Sequence, residues 1–354
     1  MEHLWTENLR KVEPYVPGEQ SKEKDIIKLN ANENPYPPSP AVFEAIRNFN
    51  CAALKLYPDA DAEEFKAAIA RFYNVKKENV FIGNGSDDVL ALSFQAFFNS
   101  EKPIVYPDIT YSFYPVWCSL FSIPYKTCAL KDDFRINAED YKAQNGGVVI
   151  PNPNAPTSLG EGEAFIEKIM EYNKDSVVII DEAYVDFGGY SSVGLTEKYE
   201  NLLVTGTFSK SRSLAGMRIG FAIGSEKLIS TLEGVKNSYN SYTVNSVAMA
   251  AGTAAINDVA YFRKTVSIVI RTRERVKNEL RELGFEVLDS KTNFLMATHP
   301  KKDMKDYFEY LKTQKVFIRY FNKPRINKYV RITIGTDAEM DIFLKKTKEY
   351  LKLK

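Results

Sequence analysis

The sequence predicts an α/β fold in which helices flank a mostly parallel sheet, with a smaller α+β unit in the last part of the chain. Short apolar runs that are typical of buried strands recur at residues 103–107, 147–151, 176–181, 201–206 and 218–224. Helix-like stretches separate several of these runs, which favours parallel strands joined by helical crossovers. After residue 284 the spacing of strand-like and helix-like stretches changes, which indicates the second unit.

The opening forty residues predict an arm without a regular helix. They include the proline-rich stretch PYPPSP at residues 35–40, and proline breaks helices because it lacks an amide hydrogen. We expect residues 1–40 to pack on the smaller unit or on a partner chain.

From residue 41 onward, helix-like and strand-like stretches alternate. The stretch DADAEEFKAAIARFYN has apolar residues at helical spacing from Phe65 to Phe72, and Asp59 and Asp61 precede them as candidate caps. The stretch VFIGNGSDDVLALSFQAFF is typical of a strand, a glycine turn and a helix. We therefore expect residues 41–260 to form the large domain.

One long helix is predicted from Ala260 to Leu283, ended by Gly284. The strand-like stretches FEVLD, NFLMAT, VFIRYF and YVRITIGT follow it, with one helix near residues 302–313 and another after the last strand. This order of elements is α+β in character. We therefore place the smaller domain at residues 261–354, with its boundary at the start of the long helix.

The charge balance and the cysteine content limit the possible functions. Lysine and arginine number 47 and aspartate and glutamate 46, so an excess of basic charge for nucleic acid or an anionic membrane is missing. No uncharged apolar run approaches the roughly 18 residues of a membrane span, and the first twenty residues lack a signal-peptide core. Three cysteines without a CxxC pair, and two histidines, argue against a disulfide framework or a metal site. We expect a cytoplasmic protein that binds no nucleic acid, no membrane and no metal.

Residues 206–220, GTFSKSRSLAGMRIG, contain the first candidate site. Thr207 and Ser209 precede Lys210, and Arg218 follows it by eight residues. Hydroxyls and an arginine are typical of an anion site, and the neighbouring glycines let the backbone approach a ligand. A lysine beside a phosphate either clamps the phosphate or forms an imine, whereas a lysine intended for solubility would simply be solvated.

The second candidate is VVIIDEAY, residues 177–184. Asp181 ends a predicted buried strand, and Tyr184 follows three residues later. Open α/β sheets place ligand contacts at the carboxyl ends of their strands, although a helix cap or a turn residue would also suit this position. If the ligand is a pyridinium ring, Asp181 would keep the ring nitrogen protonated and make the ring an electron sink.

The third candidate is GNGSDDVL, residues 83–90. Gly83 and Gly85 are able to adopt backbone conformations closed to other residues, and Ser86 and Asp87 follow where the helix is predicted to begin. Free amides and the positive end of the helix dipole form a seat for phosphate. The spacing fits neither the GxGxxG of dinucleotide sites nor the GxxxxGKS of nucleoside-triphosphate sites, so we expect a small phosphorylated ligand.

Taken in order along the chain, these stretches resemble a known family. The phosphate-seat turn, PDITYSFY, PNPNAPTS, DEAY and the SK pair with its arginine resemble fold-type I pyridoxal-phosphate aminotransferases. Within that group, LNANENPYPPSP, LYPDAD, SKSRSLAGMRIGF, KTNFLMA and YVRITIGT are most similar to the histidinol-phosphate aminotransferase family. The resemblance covers nearly the whole chain. It is less specific for the substrate, because threonine-phosphate decarboxylases and aromatic aminotransferases share most of these motifs.

The resemblance implies pyridoxal 5'-phosphate as the cofactor and a role for each matching residue. Lys210 matches the lysine that bonds the cofactor as an aldimine, Asp181 the carboxylate at the ring nitrogen, and Tyr184 the tyrosine at the ring's phenolic oxygen. Tyr111 matches the aromatic residue that stacks on the ring. The residues that match the cofactor's phosphate-binding positions are Gly85, Ser86, Asp87, Thr207, Ser209 and Arg218.

Two further cofactor positions follow from the resemblance. The family usually has Asn-Pro-Thr-Gly, whose asparagine binds the phenolic oxygen, but here Ala155 takes that position and Ser158 replaces the glycine. We expect Asn154, one residue earlier, to reach this oxygen, or a water to substitute for it. Tyr57 matches a tyrosine that reaches the phosphate in a neighbouring subunit, which implies a homodimer with shared sites.

The same resemblance identifies a substrate pocket and a reaction. Arg331 matches the arginine that binds the substrate's anionic group, and the other matching positions are Tyr15, Asn32, Asn293 and Arg319. The implied activity is ping-pong transfer of an amino group between the small molecules histidinol phosphate and 2-oxoglutarate, in histidine biosynthesis. Aromatic amino-acid transamination and threonine-phosphate decarboxylation on the same scaffold remain open alternatives.

Overall fold

The structure is a computed structural model that describes residues 4–15, 19, 23 and 25–352. Its strands, in chain order, are β1 (Ile27–Lys28), β2 (Val80–Gly83), β3 (Ile104–Pro107), β4 (Tyr125–Cys128), β5 (Gly147–Pro151), β6 (Val178–Asp181), β7 (Leu202–Thr207), β8 (Gly220–Gly224), β9 (Glu286–Val287), β10 (Phe294–Thr298), β11 (Val316–Phe317), β12 (Arg319–Tyr320) and β13 (Val330–Thr333). Its α-helices are α1 (Pro40–Arg47), α2 (Glu63–Tyr73), α3 (Ser86–Phe97), α4 (Tyr114–Phe121), α5 (Glu163–Tyr172), α6 (Glu226–Tyr239), α7 (Ser246–Asn257), α8 (Val259–Glu282), α9 (Met304–Thr313) and α10 (Asp337–Leu351).

A seven-stranded sheet occupies the centre of the large unit, in the order β2-β8-β7-β6-β5-β3-β4. Strand β8 runs antiparallel to both of its neighbours, whereas the pairs from β7 to β4 are parallel. The prediction of a mostly parallel sheet is therefore confirmed. Every predicted apolar run from residue 103 to residue 224 contains one of its strands.

Helices cover both faces of this sheet. Because consecutive residues of a strand point to opposite faces, neighbouring residues belong to different buried clusters. Val148, Ile150 and Ile180 belong to one buried cluster, which includes residues of α2 and α7. Val149 and Ile179 belong to another cluster, with residues of α3, α4 and α6. Burial on both faces explains why these strands appear in the sequence as continuous apolar runs rather than as alternating ones.

Two predicted helix boundaries each have a local cause in the structure. At the start of α2, the Asp59 carboxylate accepts a hydrogen bond from the Glu63 amide at 2.9 Å. The long helix α8 ends at Glu282, and Gly284 follows with a φ of +88°, a backbone conformation that favours glycine. Both helices are therefore found where the sequence predicts them.

A four-stranded antiparallel sheet, in the order β12-β13-β10-β9, forms the centre of the smaller unit. The stretch VFIRYF, which looked like one strand, is divided between two sheets. Strand β11 pairs in parallel with β1 of the arm, whereas β12 pairs with β13. Leu29, next to β1, is buried in the same apolar cluster as β13, so this part of the arm packs on the smaller unit. The domain limits at residues 40 and 260 stay predictions.

The beginning of the arm lies against α4. Arg10 Nη1 donates a hydrogen bond to the Leu120 carbonyl at 3.0 Å, and the ring of Tyr15 stacks on Phe113 with centroids 4.4 Å apart. The rest of the predicted arm, at residues 1–3, 16–18, 20–22 and 24, lies outside the described residues. No helix in the described part of the chain has the length and apolar character needed to cross a membrane.

Candidate active site

Two adjoining cavities lie at the carboxyl ends of β6 and β7, between the central sheet and the smaller unit. Their volumes are about 210 Å³ and about 240 Å³. The residues that line both cavities are Ala31, Glu33, Tyr111, Ala155, Tyr184 and Lys210. This position agrees with the expectation that open α/β sheets bind ligands at the carboxyl edge.

The structure brings most of the predicted cofactor residues together around the first cavity. The predicted residues that line it are Ser86, Asp87, Tyr111, Asp181, Tyr184, Thr207, Ser209, Lys210 and Arg218. Gly85 lies directly behind this lining. Asn154 and Tyr57 are missing from the described residues that line either cavity.

Asp181 is the last residue of β6 and is almost entirely buried, with 6% of its surface exposed. Its Oδ2 accepts a hydrogen bond from the Tyr114 hydroxyl at 2.8 Å, and its Oδ1 accepts one from the Ala183 amide at 3.2 Å. Burial raises the pKa of Asp181 to about 6, and both hydrogen bonds oppose this rise because they favour the ionised form. Asp181 is therefore mostly a carboxylate at neutral pH.

Lys210 lies on the loop after β7, with Nζ 5.5 Å from the centre of the Tyr184 ring. The Asn34 side-chain amide holds this loop by donating hydrogen bonds to the carbonyls of Lys210 at 3.0 Å and Ser211 at 3.3 Å. A lysine at the border of two cavities is able to reach groups that are bound in either of them.

Tyr184 links the first cavity to the smaller unit. Its hydroxyl accepts a hydrogen bond from Asn32 Nδ2 at 2.9 Å, and the edge of its ring packs against Phe294. The backbone amide of Asn32 donates a hydrogen bond to Thr333 Oγ1 on β13 at 3.0 Å, and the same hydroxyl donates to Asn32 Oδ1 at 3.1 Å. Because Tyr184 accepts from Asn32, its own hydrogen is available to an acceptor in the cavity.

The predicted phosphate seat is built by a close approach of two backbone segments. Gly85 has a φ of +90°, and a Cβ at this position would lie 2.6 Å from Arg218 Nη2. A Cβ at Gly220 would lie 2.4 Å from the Ser86 nitrogen, where α3 begins. Both positions therefore favour glycine, and Ser86 and Asp87, at the start of α3, line the same cavity as Ser209 and Arg218.

Asp87 connects the phosphate seat to the aromatic wall of the cavity. Its carboxylate pairs with Arg218 Nη2 at 3.1 Å and accepts a hydrogen bond from the Tyr111 hydroxyl at 2.8 Å. Burial, together with the neighbouring Asp87, raises the pKa of Tyr111, so its hydroxyl remains a donor. These contacts hold the Tyr111 ring and the Arg218 guanidinium in place on the same side of the site.

The second cavity is rich in cationic groups. Arg331 and Arg319 lie opposite each other on the paired strands β13 and β12, and Tyr15 and Asn32 also line the cavity. Arg331 Nη2 donates to the Asn30 carbonyl at 3.0 Å, but its Nε has no hydrogen-bond partner among the described residues. Burial lowers the pKa of Arg331 to about 10, which still leaves it charged at neutral pH. Two neighbouring arginines favour an anionic ligand here.

Asn293 stands behind this cavity rather than in its lining. Its Nδ2 donates hydrogen bonds to the carbonyls of Asn32 at 3.0 Å and Glu33 at 3.4 Å. It therefore orients the arm segment that carries Asn32, and we assign it a supporting role instead of the substrate contact expected from the sequence.

Asn154 is turned away from both cavities. Its Nδ2 donates to the Ile109 carbonyl at 2.9 Å and to Thr157 Oγ1 at 3.0 Å, and its Oδ1 accepts from Thr110 Oγ1 at 3.1 Å. Ala155 lines the cavities in its place. These contacts engage the amide of Asn154 within the protein, and its contact with a ligand stays a prediction from the sequence.

Tyr57 lies on the surface, away from the cavities of its own chain. It is 80% exposed, and its ring stacks on Tyr242 with centroids 4.6 Å apart. A tyrosine in this position is available to a second chain but contributes nothing to the site described above.

Analysis of the sequence missed two residues that hold the site in place, Tyr114 and Asn34. Tyr114 follows Tyr111 by three residues, a helical spacing that would have placed both rings on one side of a turn. Asn34 precedes a proline, and asparagine commonly binds nearby backbone at such positions, but its partner is 176 residues away in the sequence. Only the first of these signals could have been used.

The sequence of the chain is similar to those of known proteins over most of its length. A family model described as aminotransferase class I and II matches residues 24–346. The chain is 52% identical over 350 residues to a histidinol-phosphate aminotransferase of Lactococcus lactis subsp. cremoris, with 99% of this chain and 98% of that protein covered. It is 53% identical over 339 residues to one of Acinetobacter baumannii, with 95% and 94% covered.

A solved structure shows the same fold at lower sequence identity. The histidinol-phosphate aminotransferase of Sinorhizobium meliloti, in complex with pyridoxal-5'-phosphate, superposes with a TM-score of 0.83 at 23% identity. The match covers 92% of this chain and 91% of that one.

Proposed function

The chain belongs to the class I and II aminotransferases and, within them, to the histidinol-phosphate aminotransferase family, and from this premise we propose that it transfers the amino group of histidinol phosphate to 2-oxoglutarate. The products are imidazole-acetol phosphate and glutamate, in histidine biosynthesis. One observation supports this proposal most directly. Lys210 stands at the border between a cavity with a phosphate seat and a cavity lined by two arginines. We place the reaction in the cytoplasm, which remains a prediction from the sequence.

The residues of the first cavity fit pyridoxal 5'-phosphate as the cofactor. The approach of Gly85 to Arg218 leaves no room for a side chain, and the start of α3, Ser209 and Arg218 offer donors to a phosphate. Asp181 offers a carboxylate to a ring nitrogen. When it is bound, pyridoxal phosphate supplies an electron sink that stabilises negative charge at the substrate's alpha carbon.

The residues of the site then have the following roles in the proposed reaction. Lys210 Nζ removes the proton from the substrate's alpha carbon and later returns a proton, because it lies between the two cavities. Asp181 would accept a hydrogen bond from the ring nitrogen and would favour its protonated form. Tyr184 would donate its free hydrogen to the phenolic oxygen, with its orientation fixed by Asn32. Tyr111 would cover the ring and exclude water from it.

The absence of an asparagine from the Ala155 position leaves Tyr184 as the protein group that faces the phenolic oxygen in this proposal. Asn154 supports the loop instead, through its bonds to Ile109 and Thr157. Asp87 likewise acts mainly through others, since its carboxylate holds Arg218 and Tyr111.

The two arginines of the second cavity are expected to differ in their importance for the two substrates. Arg331→Ala should weaken the binding of histidinol phosphate and of glutamate alike, by about tenfold to a hundredfold, because its guanidinium is the anion contact common to both. Arg319→Ala should weaken the binding of histidinol phosphate much more than that of glutamate, because Arg319 supplies a second positive charge for the dianionic phosphate. Single-turnover titration of each half-reaction measures both dissociation constants.

The exposed Arg263 on α8 provides the control for this pair of variants. Arg263→Ala should leave both dissociation constants unchanged, since this side chain lines neither cavity. Equal losses for the two substrates in Arg319→Ala would contradict the assignment of this residue to the phosphate.

Product identification tests the proposed function itself. Purified protein that is supplied with histidinol phosphate and 2-oxoglutarate should form glutamate and imidazole-acetol phosphate in equal amounts. Histidinol phosphate should also be preferred to phenylalanine by a wide margin in kcat/KM, because only the phosphate ester engages both arginines. Comparable values for the two donors would indicate an aromatic aminotransferase, and carbon dioxide from threonine phosphate would indicate a decarboxylase.

We also propose that the active unit is a homodimer in which Tyr57 completes the phosphate seat of the other subunit. In support, Tyr57 is exposed beside other exposed apolar side chains on the same stretch, Leu54 and Leu56. Large exposed apolar side chains that cluster in this way are typical of protein interfaces. Tyr239 and Tyr242, at and just after the end of α6, add two further exposed aromatic rings.

Mixed dimers test this arrangement. Mixing an inactive Tyr57→Ala variant with Lys210→Ala should restore about one quarter of wild-type activity, because half of the mixed dimers are heterodimers and each has one intact site. Mixing Lys210→Ala with an Asp181 variant should restore no activity, because each site of the mixed dimer then lacks either the lysine or the carboxylate. A monomer in sedimentation with full activity would exclude the proposal.

A further inference from the structure

Tyr114 is a fully buried tyrosine whose hydroxyl faces the carboxylate of Asp181. Four aromatic rings surround it. Tyr106 and Tyr111 pack edge-on against it, with centroids 5.6 and 5.8 Å away, and Phe94 and Trp117 lie at 6.1 and 6.2 Å. Because these rings pack around Tyr114, its hydroxyl is held at a hydrogen-bonding distance, 2.8 Å, from Asp181 Oδ2.

The surroundings of Asp181 make this hydrogen bond important. Burial disfavours the carboxylate, and the negative charge of Asp87 on α3 acts in the same direction. The groups that favour the carboxylate through hydrogen bonds are the Tyr114 hydroxyl on α4 and the Ala183 amide. Of these, the Tyr114 hydroxyl is the nearest donor, at 2.8 Å.

We propose that Tyr114 is a positioning residue that keeps Asp181 ionised and correctly oriented for the ring nitrogen of the cofactor. Each oxygen of the carboxylate accepts one hydrogen bond from the protein, Oδ2 from Tyr114 and Oδ1 from Ala183, and two such bonds fix the plane of the group. This inference rests on the proposed function only for the identity of the ring that Asp181 serves.

Tyr114 is suited to this task because it cannot easily lose its own proton. Burial raises the pKa of Tyr114, and the carboxylate of Asp181 and the neighbouring Tyr111 and Tyr184 raise it further. The phenol therefore remains a donor over the whole pH range in which Asp181 titrates. Neutral donation stabilises the carboxylate without adding a positive charge that would compete with a protonated ring nitrogen.

Titration of the apo-protein tests this inference without cofactor or substrate. A hydrogen bond from a neutral donor to a buried carboxylate should lower the pKa of that carboxylate by about one to two units. Tyr114→Phe should therefore shift the pKa of Asp181 upward by this amount. Carbon-13 carboxyl labelling of aspartate, with Asp181→Asn to assign the signal, measures the midpoint by NMR.

Tyr106→Phe is the matched control, since Tyr106 belongs to the same aromatic cluster and is equally buried. Its hydroxyl has no hydrogen-bond partner among the described residues. Its removal should leave the Asp181 midpoint in place. An unchanged midpoint in Tyr114→Phe, or an equal shift in Tyr106→Phe, would overturn the inference.

Two further measurements complete the test. The dissociation constant of pyridoxal phosphate should rise as the pH falls through the Asp181 midpoint, and this rise should occur at a higher pH in Tyr114→Phe than in the wild type. If Tyr114→Phe does not fold, 3-fluorotyrosine incorporated at position 114 should move the Asp181 midpoint downward, because a more acidic phenol donates more strongly. No downward movement would overturn the inference in that case.

These outcomes are distinguishable from failure of the proposed function. A shifted midpoint in a protein that does not transaminate histidinol phosphate would leave the role of Tyr114 intact and reject the substrate. Normal transamination with an unshifted midpoint would leave the substrate assignment intact and reject the role of Tyr114.

Discussion

Lys210→Ala is expected to lower kcat for amino transfer by at least about 10³-fold, because in the proposed function this one side chain both bonds the cofactor and moves the substrate's proton. The structure places Nζ at the border of the two cavities, where no other lysine lines both of them among the described residues. Borohydride reduction of the wild-type protein, followed by peptide mapping, should locate the cofactor on the peptide that contains Lys210. The variant should carry no reduced cofactor on any peptide.

Lys264→Ala is the control for this experiment, because Lys264 is an exposed residue of α8 that lines neither cavity. It should keep wild-type turnover and the same labelled peptide. Reducible cofactor on a different lysine in Lys210→Ala would show that the assignment of the reactive lysine is wrong.

Asp181→Asn is expected to lower kcat by about 10² to 10³-fold while the protein still binds the cofactor through its phosphate seat. The substitution preserves the size of the side chain but removes the charge that keeps the ring nitrogen protonated. The wild type should lose affinity for the cofactor as the pH falls through about 6, since the raised pKa of Asp181 makes it neutral below that value. The variant should lack this pH dependence. Equilibrium titration with the cofactor between pH 5 and 8, together with steady-state kinetics, measures both effects.

Glu182→Gln is a demanding control, because Glu182 is the next residue and is equally buried. Its carboxyl group accepts hydrogen bonds from the Ser191 hydroxyl at 2.8 Å and from the Ser192 amide, on the side away from the cavities. Burial raises the pKa of Glu182 to about 8, so the neutral glutamine resembles the form that prevails at pH 7. Near-normal turnover in Asp181→Asn, or an equal loss in Glu182→Gln, would reject the role given to Asp181.

The sequence predicted those parts of the site that depend on neighbouring residues. Asp181 could be placed at the carboxyl end of a buried strand because continuous apolar runs mark such strands. Gly85 could be placed before the helix that begins at Ser86 because a glycine turn is a local signal. Ser209 and Arg218 nearby marked Lys210 as part of a candidate anion site, and the resemblance to one family then implied the identity of the cofactor.

Contacts between distant parts of the chain could not be predicted in this way. The division of VFIRYF between two sheets follows from pairing of its first half with β1 of the arm and of its second half with β13. No local property of these six residues, five of them apolar or aromatic, specifies two different partners. The contacts of Asn154 could not be predicted for a similar reason, since its amide is engaged by Ile109 and Thr110, more than forty residues away.

By itself, the sequence determined the α/β class and the mostly parallel sheet, because apolar periodicity and turn residues act over short distances. It also marked Lys210, Asp181 and the glycine turn before α3 as candidates, and the resemblance to a family implied their roles, which stay predictions. Tertiary structure alone decided that Tyr114 donates to Asp181 across 67 residues and that Asn34 holds the Lys210 loop across 176. It also decided that Arg319 and Arg331 share one cavity, through the register of β12 on β13. The physical reason is that a hydrogen bond or a charge acts only where folding brings two groups within a few ångströms, and their separation in the sequence says nothing about that distance.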